Sequence, residues 1–194
     1  MPVDPEQIDW ESLRESAIEV ADLAYCPYSR LQVGVAAIVE SPDGSLRRIT
    51  GCNVENASYG LGACAEVTLV GQLRLTGGGR LVALACRSGT GELLMPCGRC
   101  RQVIYEFGGP ELLVDTPEGI HDMRWVLPAA FGPEHLPTWR PPRPPTQTAP
   151  TIGAVRKLHR CPQLLLDPPP PSRPSTSSVP SVTAVSSAMR RSTG

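Results

Sequence analysis

Leu31-Gln32-Val33-Gly34-Val35-Ala36-Ala37-Ile38-Val39-Glu40, then Ser41-Pro42-Asp43-Gly44-Ser45, then Leu46-Arg47-Arg48-Ile49-Thr50-Gly51-Cys52-Asn53-Val54 is the run that decides the fold. The first piece is rich in Val, Ala and Ile and long enough for a buried strand. The middle is turn chemistry, and the last piece returns as a second strand, so the run predicts a β-hairpin. Upstream, Asp9 is a good N-cap with Glu11 in the first turn, and Leu13, Ala17, Val20, Ala21 and Ala24 recur at helical spacing. A helix is expected over roughly 10–25, ending before Pro27. Downstream, Cys64 to Leu75 is helical in pattern and stops at Gly77-Gly78-Gly79. Leu81–Cys86 reads as a central strand. Cys97 to Phe107 reads as a helix closed by Gly108-Gly109, and Glu111–Val114 as a short strand, while Met123–Leu127 fits either type. The order helix, two strands, helix, strand, helix, strand argues for the α/β class, with one sheet carrying helices on its faces.

The chain has 194 residues and 22 prolines, 13 of them after Leu136. Through residue 136 there are 10 Arg against 18 Asp and Glu, a net of −8; the remainder carries seven Arg and Lys157 against Asp167 alone, a net of +7. Residues 1–136 are therefore read as an acidic domain, and residues 137–194 as a basic, Pro/Ser-rich tail expected to be disordered. Within the tail only Thr151–Arg160 has the makings of a short helix. A domain of ~136 residues can bury a single core without disulfides. No apolar run approaches the ~18 residues of a membrane span. Met1-Pro2-Val3-Asp4-Pro5-Glu6 has no export-signal pattern, so the seven cysteines point to a reducing compartment, with the cytoplasm as the expectation.

Cys64-Ala65-Glu66 and Pro96-Cys97-Gly98-Arg99-Cys100 carry the chemistry. A lone C-x-x-C is shared by redox pairs and zinc knuckles, but joined to C-x-E it resembles the zinc-deaminase signature. Three thiolates hold Zn²⁺ and leave the fourth tetrahedral position open to water. Glu66 stands two residues from Cys64, near enough to take a proton from that water and hand it to a substrate. Both cysteine clusters start helices, whose N-termini favour thiolate. A closed four-cysteine site using Cys86 or Cys52 leaves Glu66 without a role, and a redox pair at Cys97 and Cys100 leaves Cys64 without one. Cys26, Cys52 and Cys86 are read as space-filling. In an extended strand end, Asn53 and Glu55 project to the same side, where an amide beside a carboxylate suits sugar hydroxyls.

Tyr25-Cys26-Pro27-Tyr28-Ser29, Gly51-Cys52-Asn53-Val54-Glu55-Asn56-Ala57, Cys64-Ala65-Glu66, Pro96-Cys97-Gly98-Arg99-Cys100-Arg101-Gln102-Val103 and Leu127-Pro128-Ala129-Ala130-Phe131-Gly132 together resemble the small cytidine deaminase family, over nearly all of residues 8–136. The resemblance implies a three-layer α/β/α sandwich around a mixed sheet of about five strands. It implies hydrolysis of cytidine and deoxycytidine to the uridine nucleosides and ammonia, in pyrimidine salvage, by a homotetramer with one Zn²⁺ per chain. By the same resemblance Cys64, Cys97 and Cys100 are metal ligands and Glu66 is the catalytic proton shuttle. Asn53, Glu55, Asn56, Ala57, Tyr59 and Ala65 contact substrate, and Phe131 enters the pocket of a neighbouring subunit.

Three departures stand out. Val67 replaces an Arg common after C-A-E, so the helix N-termini with Arg99 or Arg101 must offset the three thiolates. Leu31 replaces a Phe, exchanging an aromatic contact for an aliphatic one. The tail exceeds the usual family length. Blasticidin-S-type deaminases look similar around Cys64 and Cys97, and a zinc-stabilised binding module without catalysis is the alternative from another class. Editing of polynucleotides needs a basic groove that an acidic domain lacks, so no specific nucleic-acid partner and no membrane partner are expected.

Overall fold

In the computed structural model, which describes residues 5–138, the Asp9 carboxylate accepts a hydrogen bond from Ser12 N at 3.0 Å and caps α1 (Trp10–Ala21). The helix stops four residues short of the expected end, because Leu23 N and Ala24 N turn back onto Val20 O and Ala21 O. The hairpin is present as β1 (Val33–Glu40) and β2 (Leu46–Cys52), paired antiparallel, with Gly44 at φ +83° in the turn. Then come α2 (Ala65–Leu75), β3 (Arg80–Ser88), α3 (Gly98–Gly108), β4 (Leu113–Thr116), β5 (Gly119–Asp122) and α4 (Met123–Val126). The sheet order is β2-β1-β3-β4-β5, with only the β3–β4 pair parallel. The sheet is mixed and five-stranded, as the resemblance implied.

Alternation along β1 sorts the two faces. Ala36 and Ile38 join Leu13 and Ala17 of α1, while Val35, Ala37 and Val39 join Leu69 and Leu73 of α2 and Ile104 of α3. A bulge between Ile38 and Val39 sets Ile38 opposite Ala83 but Val39 opposite Leu81, leaving Val82 as the extra residue. That extra residue restores the facing, so Leu81 and Leu84 both enter the larger core. Two glycines let helices approach closely. A Cβ on Gly34 would lie 1.9 Å from Ala17 O, and one on Gly51 would lie 2.5 Å from both Ala65 O and Leu69 N. The second approach seats the start of α2, with its Cys64-Ala65-Glu66 run, at the end of β2. The ambiguous stretch at Met123 is a helix, because the Asp122 carboxylate accepts from Trp125 N at 3.2 Å. The tail lies outside the described residues, apart from residues 137 and 138.

Asp115 on β4 is 2% exposed and accepts from Arg14 Nε at 2.8 Å, from Arg14 Nη2 at 3.1 Å and from Arg87 Nη2. Burial pushes the Asp115 carboxyl up, and the two guanidiniums more than offset it, so the group ends below the ordinary carboxylate range. A carboxylate with a depressed folded-state pKa stabilises the fold above its unfolded pKa of about 3.9, and that contribution fades as pH falls through the folded value. Asp115→Ala is expected to cost about 3–5 kcal/mol at pH 7, since it leaves buried Arg87 without its anion. Urea unfolding at pH 7 and at low pH checks this: the gap from wild type should narrow in acid. An equal gap at both pH values would show that packing, not charge, sets it.

Candidate active site

Cys64 is the N-cap of α2 and Cys97 the N-cap of α3, with Cys100 in the first turn of α3. The three sulfurs lie within 4.8 Å of one another. Thiolates on one tetrahedral zinc at about 2.3 Å stand roughly 3.8 Å apart, so the set fits one Zn²⁺ with little movement. Among the described residues no other Cys, His or carboxylate joins this cluster, so neither Cys86 nor Cys52 closes a fourth ligand position. The backbone N–H of Cys100 and then that of Arg99 point at Cys97 and hold its thiol below the usual range. Burial first, and then the facing Glu66 carboxylate, push the Cys100 thiol up. Glu66 itself is 3% exposed, in the first turn of α2.

The cluster forms the floor of a cavity of about 780 Å³, a size that takes a nucleoside. Of the residues singled out in the sequence, Asn53, Glu55, Asn56, Tyr59, Cys64, Ala65, Glu66, Cys97 and Cys100 line it. The strand after β2 closes on itself, with Val54 N donating to Ala63 O and Ala63 N to Val54 O. This brings Asn53 and Glu55 beside Cys64. Both side chains are partly engaged by the segment before β1. Asn53 Oδ1 accepts from Val33 N at 2.8 Å while its Nδ2 donates to Leu31 O at 3.0 Å. Glu55 Oε2 accepts from Tyr28 N at 2.9 Å and Ser29 N at 3.2 Å, and hydrogen bonds led by Ser29 hold its carboxyl below the ordinary range. Each keeps lone pairs or protons for a ligand, and each fixes one wall of the cavity.

Two of the candidate substrate-binding residues do not line this cavity. Ala57 is an exposed residue of the loop between Val54 and Ala63 and is not among the lining residues. Phe131 is 59% exposed and stacks on His135 with ring centroids 5.5 Å apart, while its carbonyl accepts from Gln102 Nε2 at 2.8 Å. The structure adds Val33, Leu94, Met95 and Cys86 as lining residues. Leu94 and Met95 directly precede Pro96-Cys97, and Leu94 N donates to Cys86 O at 3.2 Å, which folds the loop after β3 over the cavity. Cys86 is 2% exposed, and burial drives its thiol far up, so it fills space at the wall as an inert thiol.

The model of the cytidine and deoxycytidylate deaminase zinc-binding region matches residues 8–116. A cytidine deaminase of Mycobacterium tuberculosis is 56% identical over 133 residues, covering 69% of this chain and 97% of that one. The chain belongs to the cytidine deaminase family. The cytidine deaminase of Halalkalibacterium halodurans is 44% identical over 134 residues, covering 66% of this chain and 98% of that one. The crystal structure of cytidine deaminase from Mycobacterium leprae superposes with a TM-score of 0.58 at 53% identity, covering 62% of this chain and 98% of that one. Members of the family are hydrolases, and the three-thiol cluster, which lies within the matched zinc-binding region, fits one Zn²⁺. Among the described residues no helix is long and apolar enough to cross a membrane.

Proposed function

We propose that the chain is a zinc-dependent cytidine deaminase that hydrolyses cytidine and deoxycytidine to uridine and deoxyuridine plus ammonia, serving pyrimidine salvage in the cytoplasm. The observation that carries this reading is a buried Glu66 set against a three-thiol cluster, in one cavity with Asn53 and Glu55. Cys64, Cys97 and Cys100 hold the metal. Bound zinc supplies Lewis acidity, which makes water nucleophilic near neutral pH. Glu66 takes the proton of the attacking water and delivers it to N3 of the pyrimidine, so that C4 accepts the oxygen. The same carboxyl then carries the hydroxyl proton at C4 to the amino group, which leaves as ammonia. Asn53 and Glu55 bind ribose hydroxyls, exposed Asn56 and Tyr59 line the way in, buried Ala65 contacts the substrate between Cys64 and Glu66, and the apolar Leu31, Val33, Leu94 and Met95 shield the reacting end from bulk water.

Among the described residues the cavity carries Glu55 and Glu66 against the single cation Arg99, which suits a neutral nucleoside better than a phosphate. Thiols at the ligand positions suit a reducing compartment. Tyr59 and Leu61, 83% and 71% exposed beside the cavity, and Phe131 on the C-terminal segment are apolar surfaces that a homotetramer covers. In that assembly Phe131 reaches a neighbour's pocket. The test runs cytidine and blasticidin S side by side on the full chain and on a chain ending at Leu136. Faster turnover of cytidine, equal in both chains and from tetramers by sedimentation, is expected, since 133 residues already span 97% of one relative. Preference for blasticidin S would overturn the substrate. An active monomer would overturn the role of Phe131, and failure of the short chain to fold would move the domain boundary.

A further inference from the structure

Three thiolates on Zn²⁺ leave a net charge of −1, in a site where Cys100 is 1% and Glu66 3% exposed. The N-termini of α2 and α3 face the cluster and supply partial positive charge. Two nearby arginines are committed elsewhere. Arg101 donates to Pro96 O at 2.9 Å and to Val126 O at 3.0 Å, while Arg87 is held by Asp115 and Cys86 O. Arg99 differs. It sits on α3 between two of the ligands, yet its Nη2 reaches across to the start of α2, 3.7 Å from Cys64 Sγ and 3.4 Å from Gly62 O. Among the described residues no carboxylate pairs with its guanidinium, and it lines the cavity.

We infer that Arg99 is a positioning residue for the metal centre, its cation offsetting the three thiolates and tying Cys64 of α2 to the Cys97–Cys100 pair of α3. The inference rests on the zinc-deaminase reading above. Because Arg99 is exposed, its effect is salt-sensitive. It also calls for positive charge at this position rather than bulk, although an ammonium reproduces a guanidinium only in part.

The test measures zinc affinity on the full chain by competition with a chromophoric chelator, at low and high salt, with cytidine kinetics beside it. Arg99→Met keeps an unbranched stem and removes the charge, and Arg99→Lys restores charge. Arg99→Met is expected to bind zinc about tenfold more weakly at low salt, the low end for groups that support metal ligands. Added salt should shrink the deficit, and Arg99→Lys should recover most of it, with kcat affected more than KM. Zinc affinity in Arg99→Met within about twofold of wild type would overturn the inference. So would an Arg99→Lys protein as weak as Arg99→Met, which would assign the effect to shape. Intact zinc affinity with a raised KM would place Arg99 on the substrate instead. A wild-type chain that holds no zinc would overturn the zinc reading itself, and the inference with it.

Discussion

Glu66→Gln is expected to keep zinc, fold and nucleoside binding while turnover of cytidine falls by at least about 10³-fold, toward or beyond the upper end of the 10²–10⁴ usual for general acid–base groups. The large effect follows from double duty. The same carboxyl serves both water activation and ammonia departure, and an amide of equal size can do neither. Burial strengthens the case, because at 3% exposure no bulk water stands by to shuttle protons in its place. Single-turnover kinetics with metal analysis of the same sample read both sides of the claim. Near wild-type turnover in a zinc-loaded Glu66→Gln protein would mean that another group moves the proton.

Cys97→Ala is the second large effect. Cys97 is the exposed member of the ligand set, whereas Cys100 is 1% exposed, so this substitution removes a ligand with the least damage to packing. Stoichiometric zinc and activity should both be lost, because two thiolates hold the metal far more weakly than three. Unfolding should also become easier, since metal binding free energy, about 10–16 kcal/mol for structural zinc in small peptides, is partly folding free energy. Metal analysis after dialysis and a urea titration measure both. A Cys97→Ala protein that retains one zinc per chain and full turnover would remove Cys97 from the site.

Much of this was legible in the sequence because local chemistry decided it. Asp9 before a helical pattern and Pro42-Asp43-Gly44 between two strand-like runs act within a few residues, and the structure shows the cap and the hairpin. C-x-E and P-C-x-x-C were legible because a metal demands particular donors at particular spacings, and the folded chain brings the three sulfurs together. What stayed hidden depends on long-range pairing. Strand β5 has Ile120 as its only aliphatic side chain, so its existence rests on pairing with β4 rather than on its own pattern. The bulge beside Val82 is visible only against β1. Asp115, Arg14 and Arg87 carry no local signal that they meet, being separated by up to 101 residues. Likewise Leu94 and Met95 read as a plain apolar pair until the loop after β3 folds them over the cavity. The family motif runs continuously from Asn53 to Tyr59, but only the folded loop shows that Ala57 is not among the residues lining the cavity.

Three thiols and Glu66 in one cavity can deaminate cytidine only with a metal bound, so removing and returning zinc should switch the activity off and on. The most direct test follows cytidine absorbance after adding the purified full chain, as prepared, after chelation, and after zinc is returned. Absorbance should fall with the untreated protein, hold steady after chelation, and fall again at the original rate once about one zinc per chain is restored. Cytidine consumed at the same rate by the stripped chain, or left untouched by the zinc-loaded one, would contradict the account.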